Sequence, residues 1–268
     1  MSSKELLKPL ADWPLAARKN LKGVFTDIDD TLTAAGAITP DALEALTSLH
    51  AAGLAIVPIT GRPIGWSMPF ASTWPVEAIV AENGAAALQC VNGQVRKHYQ
   101  LDAATRAIHW KRMQAVASHI LQVLPDARQA TDSVGRETDI AIDHSEHHTL
   151  TSAQIQQVVE LMQAHGMQAT ISSIHINGWY GQHNKLSGAR WWVRTLWGRD
   201  LDQELDAWVY VGDSTNDQLM FEHFPHSIGV ANIARFLPEL KHPPRYITSL
   251  ERGAGFAEVA RAILQARG

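Results

Sequence analysis

Short apolar runs alternate with amphipathic segments at both ends of the chain. Runs of the buried-strand type occupy residues 21–25, 54–59, 77–81, 208–211, 227–230 and 246–248. Residues 40–52 place leucines at three-residue spacing and are followed by Gly53, which predicts a helix with a glycine cap. A last helix is predicted from about Phe256. This alternation is typical of a parallel sheet that helices cover on both faces.

The middle of the chain has a different pattern. Its predicted elements are strands at 86–90 and 95–99, a helix at 102–124, a strand near 139–142, a helix at 151–165 and a strand at 169–176. Asn92-Gly93 between the first two strands is the signal of a hairpin with a type I′ turn. Thr151 and Gln154 form a capping box at the start of the second helix.

These two patterns predict one fold with an insertion. We expect an α/β protein with a doubly wound, Rossmann-like parallel-sheet core that is formed by residues 1–84 and 185–268. Residues 85–184 would form an inserted α+β cap domain.

Composition excludes several classes of protein. The chain has 268 residues, of which 46% are hydrophobic, and a net charge of −4, without the basic footprint of a nucleic-acid binder. Its single cysteine, Cys90, excludes an intrachain disulfide. Neither an apolar signal-peptide stretch at the N-terminus nor a run of membrane-spanning length is present. We therefore expect a cytoplasmic protein, monomer or homodimer, with neither nucleic acid nor membrane as a partner.

The first apolar run, residues 21–25, is followed by two aspartates in a D-x-D-x-T arrangement. Residues i and i+2 of an extended chain project to the same side, so Asp27 and Asp29 would face one point. Two carboxylates there are costly to keep ionised unless a cation or a reaction uses them. The alternative is a helix start at which Asp or Thr acts as a cap.

Other strands carry polar residues at the same end, which is where an open parallel sheet binds its ligand. The second ends in Thr60-Gly61-Arg62 and the third in Glu82-Asn83-Gly84. The fourth ends in Gly212-Asp213-Ser214-Thr215-Asn216-Asp217, and Lys185 opens a helix just after the insert. We expect four carboxylates, a lysine and a threonine to converge on one rim.

In this order, the motifs resemble those of haloacid dehalogenase-like hydrolases. They are Asp27-Ile28-Asp29-Asp30-Thr31, Thr60-Gly61-Arg62, Glu82-Asn83-Gly84, Lys185 and Gly212-Asp213-Ser214-Thr215-Asn216-Asp217. The resemblance is to Mg²⁺-dependent phosphatases with a type IIB cap, in the Cof-like, sugar-phosphatase group. Residues 176–185 are similar to the return from cap to core in sugar-phosphate phosphatases and phosphomannomutases.

The resemblance implies a role for each residue of the rim. Asp27 would be the nucleophile that forms an aspartyl-phosphate, and Asp29 would protonate the leaving group and then deprotonate water. Thr60 and Lys185 would hold the transferring phosphoryl oxygens.

The same resemblance implies Mg²⁺ as the cofactor. Its ligands would be Asp27, the backbone carbonyl of Asp29, and Asp213, with Asp217 as a further ligand or as the residue that orients a metal-bound water. The alternative for Asp213 and Asp217 is that both are acidic residues that a helix start favours.

Substrate contacts are expected from five residues: Arg62, Asn83, Arg136, Asp139 and Asn216. For several of these an alternative stays open. Arg62 would instead close a salt bridge at the junction of core and cap, Asn83 would be a turn residue, and residues 133–139 would be a solvated loop. Lys185 would be an ordinary surface lysine. A solvated loop is also the expectation for His144, His147 and His148, rather than a metal site.

We therefore predict a Mg²⁺-dependent phosphatase that hydrolyses a small, sugar-like phosphate monoester. The alternatives are a phosphomutase of the phosphomannomutase type and a catalytically idle sugar-phosphate-binding regulator. A true dehalogenase is disfavoured, because it would need neither the second aspartate nor a metal.

Overall fold

The computed structural model describes residues 7–268. Its strands are β1 Lys8–Pro9, β2 Gly23–Thr26, β3 Thr33–Ala34, β4 Ala37–Ile38, β5 Ala55–Pro58, β6 Ile79–Ala81, β7 Ala86–Val91, β8 Gln94–Tyr99, β9 Arg128–Gln129, β10 Ile140–Asp143, β11 Gln168–Ile171, β12 His175–Trp179, β13 Trp208–Gly212, β14 His226–Gly229 and β15 Tyr246–Ile247. Its α-helices are α1 Leu15–Lys19, α2 Pro40–Ala51, α3 Ile64–Thr73, α4 Ala103–Val123, α5 Ser152–Ala164, α6 Lys185–Trp197, α7 Gln218–His223 and α8 Arg252–Arg267. No helix within 7–268 is both long enough and apolar enough to cross a membrane.

The chain folds into two compact units. The first unit consists of the residues up to Ile59 together with Trp74–Ala78 and Val193–Gly268. The second unit consists of Thr60–Thr73 and Ile79–Trp192. The core and cap boundaries that the sequence suggests, at 84/85 and 184/185, follow the motifs rather than compactness and stay a prediction.

A six-stranded parallel sheet organises the first unit, in the order β1-β15-β14-β13-β2-β5. Every residue of its central strands β2 and β13 is buried, and most are apolar, as parallel strands between helices require. Thr39 caps α2 by accepting a hydrogen bond from the backbone N–H of Ala42, and α2 packs against α8. This sheet confirms the predicted α/β, Rossmann-like fold.

The strand order reverses between β2 and β13. From β2 the chain goes to β5 on one side, whereas β13, β14 and β15 extend the sheet on the other. Strands β2 and β13 pair in register, with Val211 opposite Thr26, so their carboxyl ends lie side by side. A crevice at such a switch point is where doubly wound sheets bind ligands.

The second unit contains two antiparallel sheets. Four strands run in the order β11-β12-β10-β9, and α4 and α5 bury their apolar residues against them. Met113, Val116 and Ile120 of α4 and Val158 and Met162 of α5 belong to this core. The other sheet is β6-β7-β8, whose hairpin turns at Asn92 and Gly93, both in the left-handed region as predicted.

The apolar run at residues 77–81 was predicted to be a strand of the parallel sheet, and this prediction is wrong. Strand β6 pairs antiparallel with β7 and belongs to the small sheet, not to the parallel one. The cause is the turn that follows it, because Glu82, Asn83 and Gly84 all have positive φ and reverse the chain direction. At Gly84 only glycine fits, since an added Cβ would lie 2.4 Å from the carbonyl oxygen of Asn184.

Two further boundaries differ from the prediction. The single strand expected over 169–176 is two antiparallel strands, β11 and β12. Between them Ser172 accepts a hydrogen bond from the backbone N–H of His175 through its hydroxyl, which stabilises a tight turn inside an apolar run. Helix α8 begins at Arg252 rather than near Phe256, after an N-cap without a side-chain hydrogen bond.

Candidate active site

Three carboxylates meet at the switch point of the first unit. Asp27, Asp213 and Asp217 each offer one oxygen, and these oxygens all lie within 4.8 Å of one another. All three side chains are buried. Oxygen atoms at this spacing suit a hard divalent cation such as Mg²⁺.

Asp27 follows directly on β2. Its backbone N–H donates to the carbonyl oxygen of Val211 at 2.8 Å, which continues the pairing of β2 with β13 by one residue. Its Oδ1 accepts from the N–H of Ile28 at 2.8 Å, which fixes the carboxylate orientation. Asp29, two residues later, is 8% exposed and so has limited access to solvent.

Asp213 follows on β13, and Asp217 lies in the short helix just after it. The Oδ2 of Asp217 accepts from the backbone N–H groups of Asp213, at 2.9 Å, and of Ser214, at 3.1 Å, while its Oδ1 accepts from the hydroxyl of Tyr210. Gly212 makes room for this arrangement, because a Cβ there would lie 2.4 Å from Asp217 Oδ2. Asp217 therefore holds the loop that carries Asp213.

The electrostatics of the cluster are dominated by like charges. Burial, followed by the charges of Asp27, Asp217 and Asp30, raises the pKa of Asp213 well above its ordinary value, and Arg235 opposes this only in part. Burial and the charge of Asp217 likewise raise the pKa of Tyr210, so its hydroxyl stays protonated and donates to that carboxylate.

Three residues around Asp213 were missed by the sequence analysis: Asn232, Arg235 and Arg252. Together with Asp30, which the first motif contains without an assigned role, they form a hydrogen-bonded group beside the Asp213 carboxylate. A signal was available: Asn232 comes just after β14, and the rule of strand ends that selected Asp27 and Asp213 applies to β14 as well.

The predicted phosphate-binding residues lie in the second unit. Thr60 is fully buried, and its hydroxyl accepts from the N–H of Arg62 at 2.9 Å. Lys185 is 2% exposed and is the first residue of α6, so the expectation of an ordinary surface lysine is wrong. Asn184 caps this helix, since its Oδ1 accepts from the N–H of Ser187 at 2.9 Å.

Arg62 lies in a network of charged groups within the second unit. Its guanidinium contacts Asp132 at 3.1 Å and Glu146 at 2.6 Å. Glu146 also accepts from His175 at 2.8 Å. Burial alone would raise the pKa of Glu146, but the hydrogen bonds and charges of His175 and Arg62 lower it to about 2.

Arg136 and Asp139 pair with each other in the same network. The guanidinium of Arg136 contacts both oxygens of Asp139, at 2.8 and 3.0 Å, and also donates to the carbonyl oxygen of Gly61. Asn177 donates to Asp139 at 3.0 Å. Burial outweighs the nearby charge of Arg136 and raises the pKa of Asp139 to about 7. Both side chains are buried, so the solvated loop expected over 133–139 does not describe them.

Glu82 and Asn83 occupy the turn after β6. Glu82 is fully buried, and its carboxylate accepts from the N–H groups of Ile64 at 3.0 Å and Thr138 at 2.5 Å. Burial raises its pKa although these hydrogen bonds and Arg136 oppose the shift. Asn83 has a φ of 55°, as a turn residue does, and its buried Nδ2 has no hydrogen-bond partner within 7–268.

The predicted site residues thus fall into two groups. The first unit contains Asp27, Asp29, Asp213, Asn216 and Asp217, and the structure brings the carboxylates of Asp27, Asp213 and Asp217 together. The second unit contains Thr60, Arg62, Asn83, Arg136, Asp139 and Lys185.

Comparison with known proteins agrees with this fold. Residues 24–124 match the family model of haloacid dehalogenase-like hydrolases. No curated protein matches the chain at a significant level.

Several solved structures share the fold. A Thermoplasma acidophilum protein, 0175, is 15% identical with a TM-score of 0.69, covering 91% of this chain and 98% of its own. A putative HAD/COF-like hydrolase from Plasmodium vivax is 13% identical with a TM-score of 0.68, covering 94% and 99%. The sucrose-phosphatase of Synechocystis sp. PCC6803, in complex with sucrose and phosphate, is 15% identical with a TM-score of 0.63, covering 91% and 98%. The matched family model over residues 24–124 and the shared fold agree with the predicted resemblance to haloacid dehalogenase-like hydrolases.

Proposed function

We propose that this hydrolase is a Mg²⁺-dependent phosphatase that acts on a small, sugar-like phosphate monoester. The observation that carries the proposal is the buried cluster of Asp27, Asp213 and Asp217, with one oxygen of each within 4.8 Å of the others. A cation among these oxygens would relieve the repulsion that raises the pKa of Asp213.

The proposed reaction begins at Asp27. Its carboxylate oxygen attacks phosphorus, the bond from phosphorus to the ester oxygen breaks, and an aspartyl-phosphate forms. Asp29 gives its proton to the departing alkoxide and then takes one from the water that hydrolyses the aspartyl-phosphate. The hydrogen bond from the N–H of Ile28 keeps the Asp27 carboxylate oriented throughout.

The metal ligands that we assign are Asp27, the backbone carbonyl of Asp29, and Asp213, with Asp217 as a further ligand or as the residue that orients a metal-bound water. A bound Mg²⁺ would neutralise charge between the carboxylates and the phosphate. Asp217 contributes in addition by holding the Asp213 loop through the two backbone N–H groups that it accepts from.

We assign Thr60 and Lys185 to binding the oxygens of the transferring phosphoryl group. The ammonium of Lys185 would offset the charge of the transferring group, and the hydroxyl of Thr60 would donate to one of its oxygens. Both residues have fixed backbones. Thr60 N–H donates to Val80 at 2.9 Å, and Lys185 starts a capped helix.

The proposal of a sugar-like leaving group is supported by the fold that this chain shares with two sugar-phosphate phosphatases. The sucrose-phosphatase of Synechocystis sp. PCC6803 and the C-terminal domain of the trehalose-6-phosphate phosphatase of C. albicans share the fold. The residues that we assign to the substrate are Arg62, Asn83, Arg136, Asp139 and Asn216. Among them, the buried Nδ2 of Asn83, which has no partner in the described chain, is the donor that a substrate oxygen would satisfy.

The test is a phosphate-release assay. The purified protein is incubated with p-nitrophenyl phosphate and with a panel of phosphorylated sugars, polyols and glycerate-type acids, with Mg²⁺ or with EDTA. We expect Mg²⁺-dependent release of free phosphate, fastest with sugar phosphates. The Asp27→Asn variant should lose activity by at least about 10³-fold, since it lacks the nucleophile.

Asp126→Asn, at an exposed position of the second unit, is the matched control and should keep the parental rate. An Asp27→Asn variant that hydrolyses p-nitrophenyl phosphate as fast as the parent would refute the nucleophile assignment. Conversion of a sugar phosphate to its isomer without phosphate release would instead identify a phosphomutase. Binding of sugar phosphates without turnover would identify a regulator.

A further inference from the structure

We propose that Asn232 positions the Asp213 carboxylate for a divalent cation, and that Arg235 weakens the binding of that cation. The inference rests on the proposed function, because it requires that Asp213 is a metal ligand. It adds to that function two residues outside the motifs, one that favours metal binding and one that opposes it.

Asn232 is 7% exposed and uses all of its side-chain hydrogen-bonding groups in the first unit. Its Nδ2 donates to Asp213 Oδ2 at 3.1 Å and to the backbone carbonyl oxygen of Asp30 at 3.0 Å. Its Oδ1 accepts from the N–H of Arg252 at 2.9 Å. These three bonds fix which way the amide points, because the reversed amide would place its oxygen against two acceptors.

The partners of Asn232 are themselves fixed. Asp30 and Arg252 both adopt positive φ, 53° and 52°, a conformation that non-glycine residues rarely adopt without support. Their side chains form an ion pair, with Arg252 Nε at 2.9 Å from Asp30 Oδ1. Asn232 is thus held from two sides and has little freedom to follow a displaced Asp213.

Asp213 depends on this support. Its Oδ2 accepts from Asn232, and the hydrogen-bond donor to its Oδ1 within residues 7–268 is the hydroxyl of Thr31, at a long 3.4 Å. Groups that hydrogen-bond a metal-ligating side chain orient it and typically account for about 10- to 100-fold in metal affinity. The shorter of its two side-chain hydrogen bonds is the one from Asn232.

Arg235 acts in the opposite sense. Its Nη2 lies 3.0 Å from Asp30 Oδ2 and 3.5 Å from Asp213 Oδ2, so it places positive charge next to the proposed ligand. Its side chain is 45% exposed, which screens the charge in part. A cation at this distance repels a divalent ion and competes with it for the carboxylate.

The test measures binding of Mn²⁺, a spectroscopic substitute for Mg²⁺, to the full chain without substrate, by electron paramagnetic resonance and calorimetry. Asn232→Ala should bind Mn²⁺ about tenfold more weakly than the parent. Arg235→Gln should bind it about two- to threefold more tightly, and this gain should shrink at high salt. Asn20→Ala and Arg261→Gln, both exposed in the first unit, are the matched controls and should bind like the parent.

The inference predicts weaker Mn²⁺ binding by Asn232→Ala but tighter binding by Arg235→Gln. If the two residues only stabilised the loop, both variants would bind Mn²⁺ more weakly. Asn232→Ser, which keeps a smaller hydrogen-bonding group, should fall between Ala and the parent and replaces Asn232→Ala if that variant does not fold. Parental Mn²⁺ affinity in the folded Asn232 variants, or weaker binding by Arg235→Gln, would overturn the inference while leaving the proposed function standing. A folded parent that binds no Mn²⁺ would overturn both.

Discussion

Buried or half-buried carboxylates occur in both units, but their neighbours differ. In the first unit, oxygens of Asp27, Asp213 and Asp217 lie within 4.8 Å of one another. In the second, Asp132, Asp139 and Glu146 each contact a guanidinium, that of Arg62 or Arg136. The pKa values follow this difference: that of Asp213 is raised well above its ordinary value, and that of Glu146 is lowered to about 2.

The two units thus differ in whether a positively charged side chain compensates the carboxylates. Buried carboxylates that repel one another destabilise the fold unless a cation binds, so a chain that contains such a cluster gains from a metal. Buried carboxylates that contact arginines are already compensated and fix the position of the backbone to which those arginines bond. Asp139 lies between the two cases, because burial raises its pKa to about 7 despite Arg136.

The largest effect on metal binding and on stability should come from neutralising the carboxylate of Asp213. We expect Asp213→Asn to bind Mn²⁺ at least about 100-fold more weakly and to lose its Mg²⁺-dependent activity. In EDTA the same variant should melt at a higher temperature than the parent. An acid whose folded-state pKa is raised destabilises the folded state above its ordinary pKa, and each pKa unit is about 1.4 kcal/mol. The measurement is thermal unfolding at pH 7.5 with and without Mg²⁺.

Replacing an acid by its amide in the second unit should lower the stability of the protein instead of raising it. Glu146→Gln should destabilise the protein by about 2 kcal/mol, since it removes a charge that Arg62 and His175 stabilise. The pKa of Glu146 is depressed, so its contribution is fully present above the ordinary value of 4.5 and is lost as the pH falls toward about 2. Denaturant unfolding of the parent and of the variant between pH 7 and pH 2 measures this contribution.

Glu160→Gln, on an exposed part of α5, is the control for this prediction and should match the parent. The two predictions work as a pair. Asp213→Asn and Glu146→Gln replace an acid by its amide, so changes of the same sign in unfolding free energy would show that the contrast between the units is wrong.

The smallest effect should come from an ion pair that is not buried. Lys97 and Glu137 lie 2.6 Å apart in the second unit, but their side chains are 35% and 36% exposed. Lys97→Gln should therefore change the free energy of unfolding by no more than about 0.5 kcal/mol. Chemical denaturation at low and high salt checks this, with the exposed Lys111→Gln as the reference. A loss as large as that of Glu146→Gln would show that burial is not what distinguishes the network.

The sequence was most informative where local rules suffice. Regular elements followed from apolar periodicity and capping, as at α2, α5 and the hairpin of β7 and β8. Asp27 and Asp213 were identified because side chains at the ends of parallel strands share one edge, and the cluster confirms that these two carboxylates meet.

What the sequence did not reveal depends on contacts between distant residues. The bond between Arg62 and Asp132 joins positions 70 residues apart, and no periodicity predicts it. The antiparallel course of β6 depends on left-handed conformations at Glu82 and Asn83, which no local rule assigns to glutamate. The strand-end rule would have selected Asn232 as a candidate, but its position beside Asp213 follows only from the strand order, which puts β14 next to β13.

The central strand β2 has a consequence for how the protein is made. Its neighbour β5 follows within a few dozen residues, but its other neighbour, β13, begins only at Trp208. A nascent chain that ends before β13 therefore has the residues of the second unit but an unpaired edge on β2, and such edges promote association with other chains. Premature termination between the second unit and β13 should therefore yield insoluble fragments, so solubility depends on synthesis of the chain as far as β13.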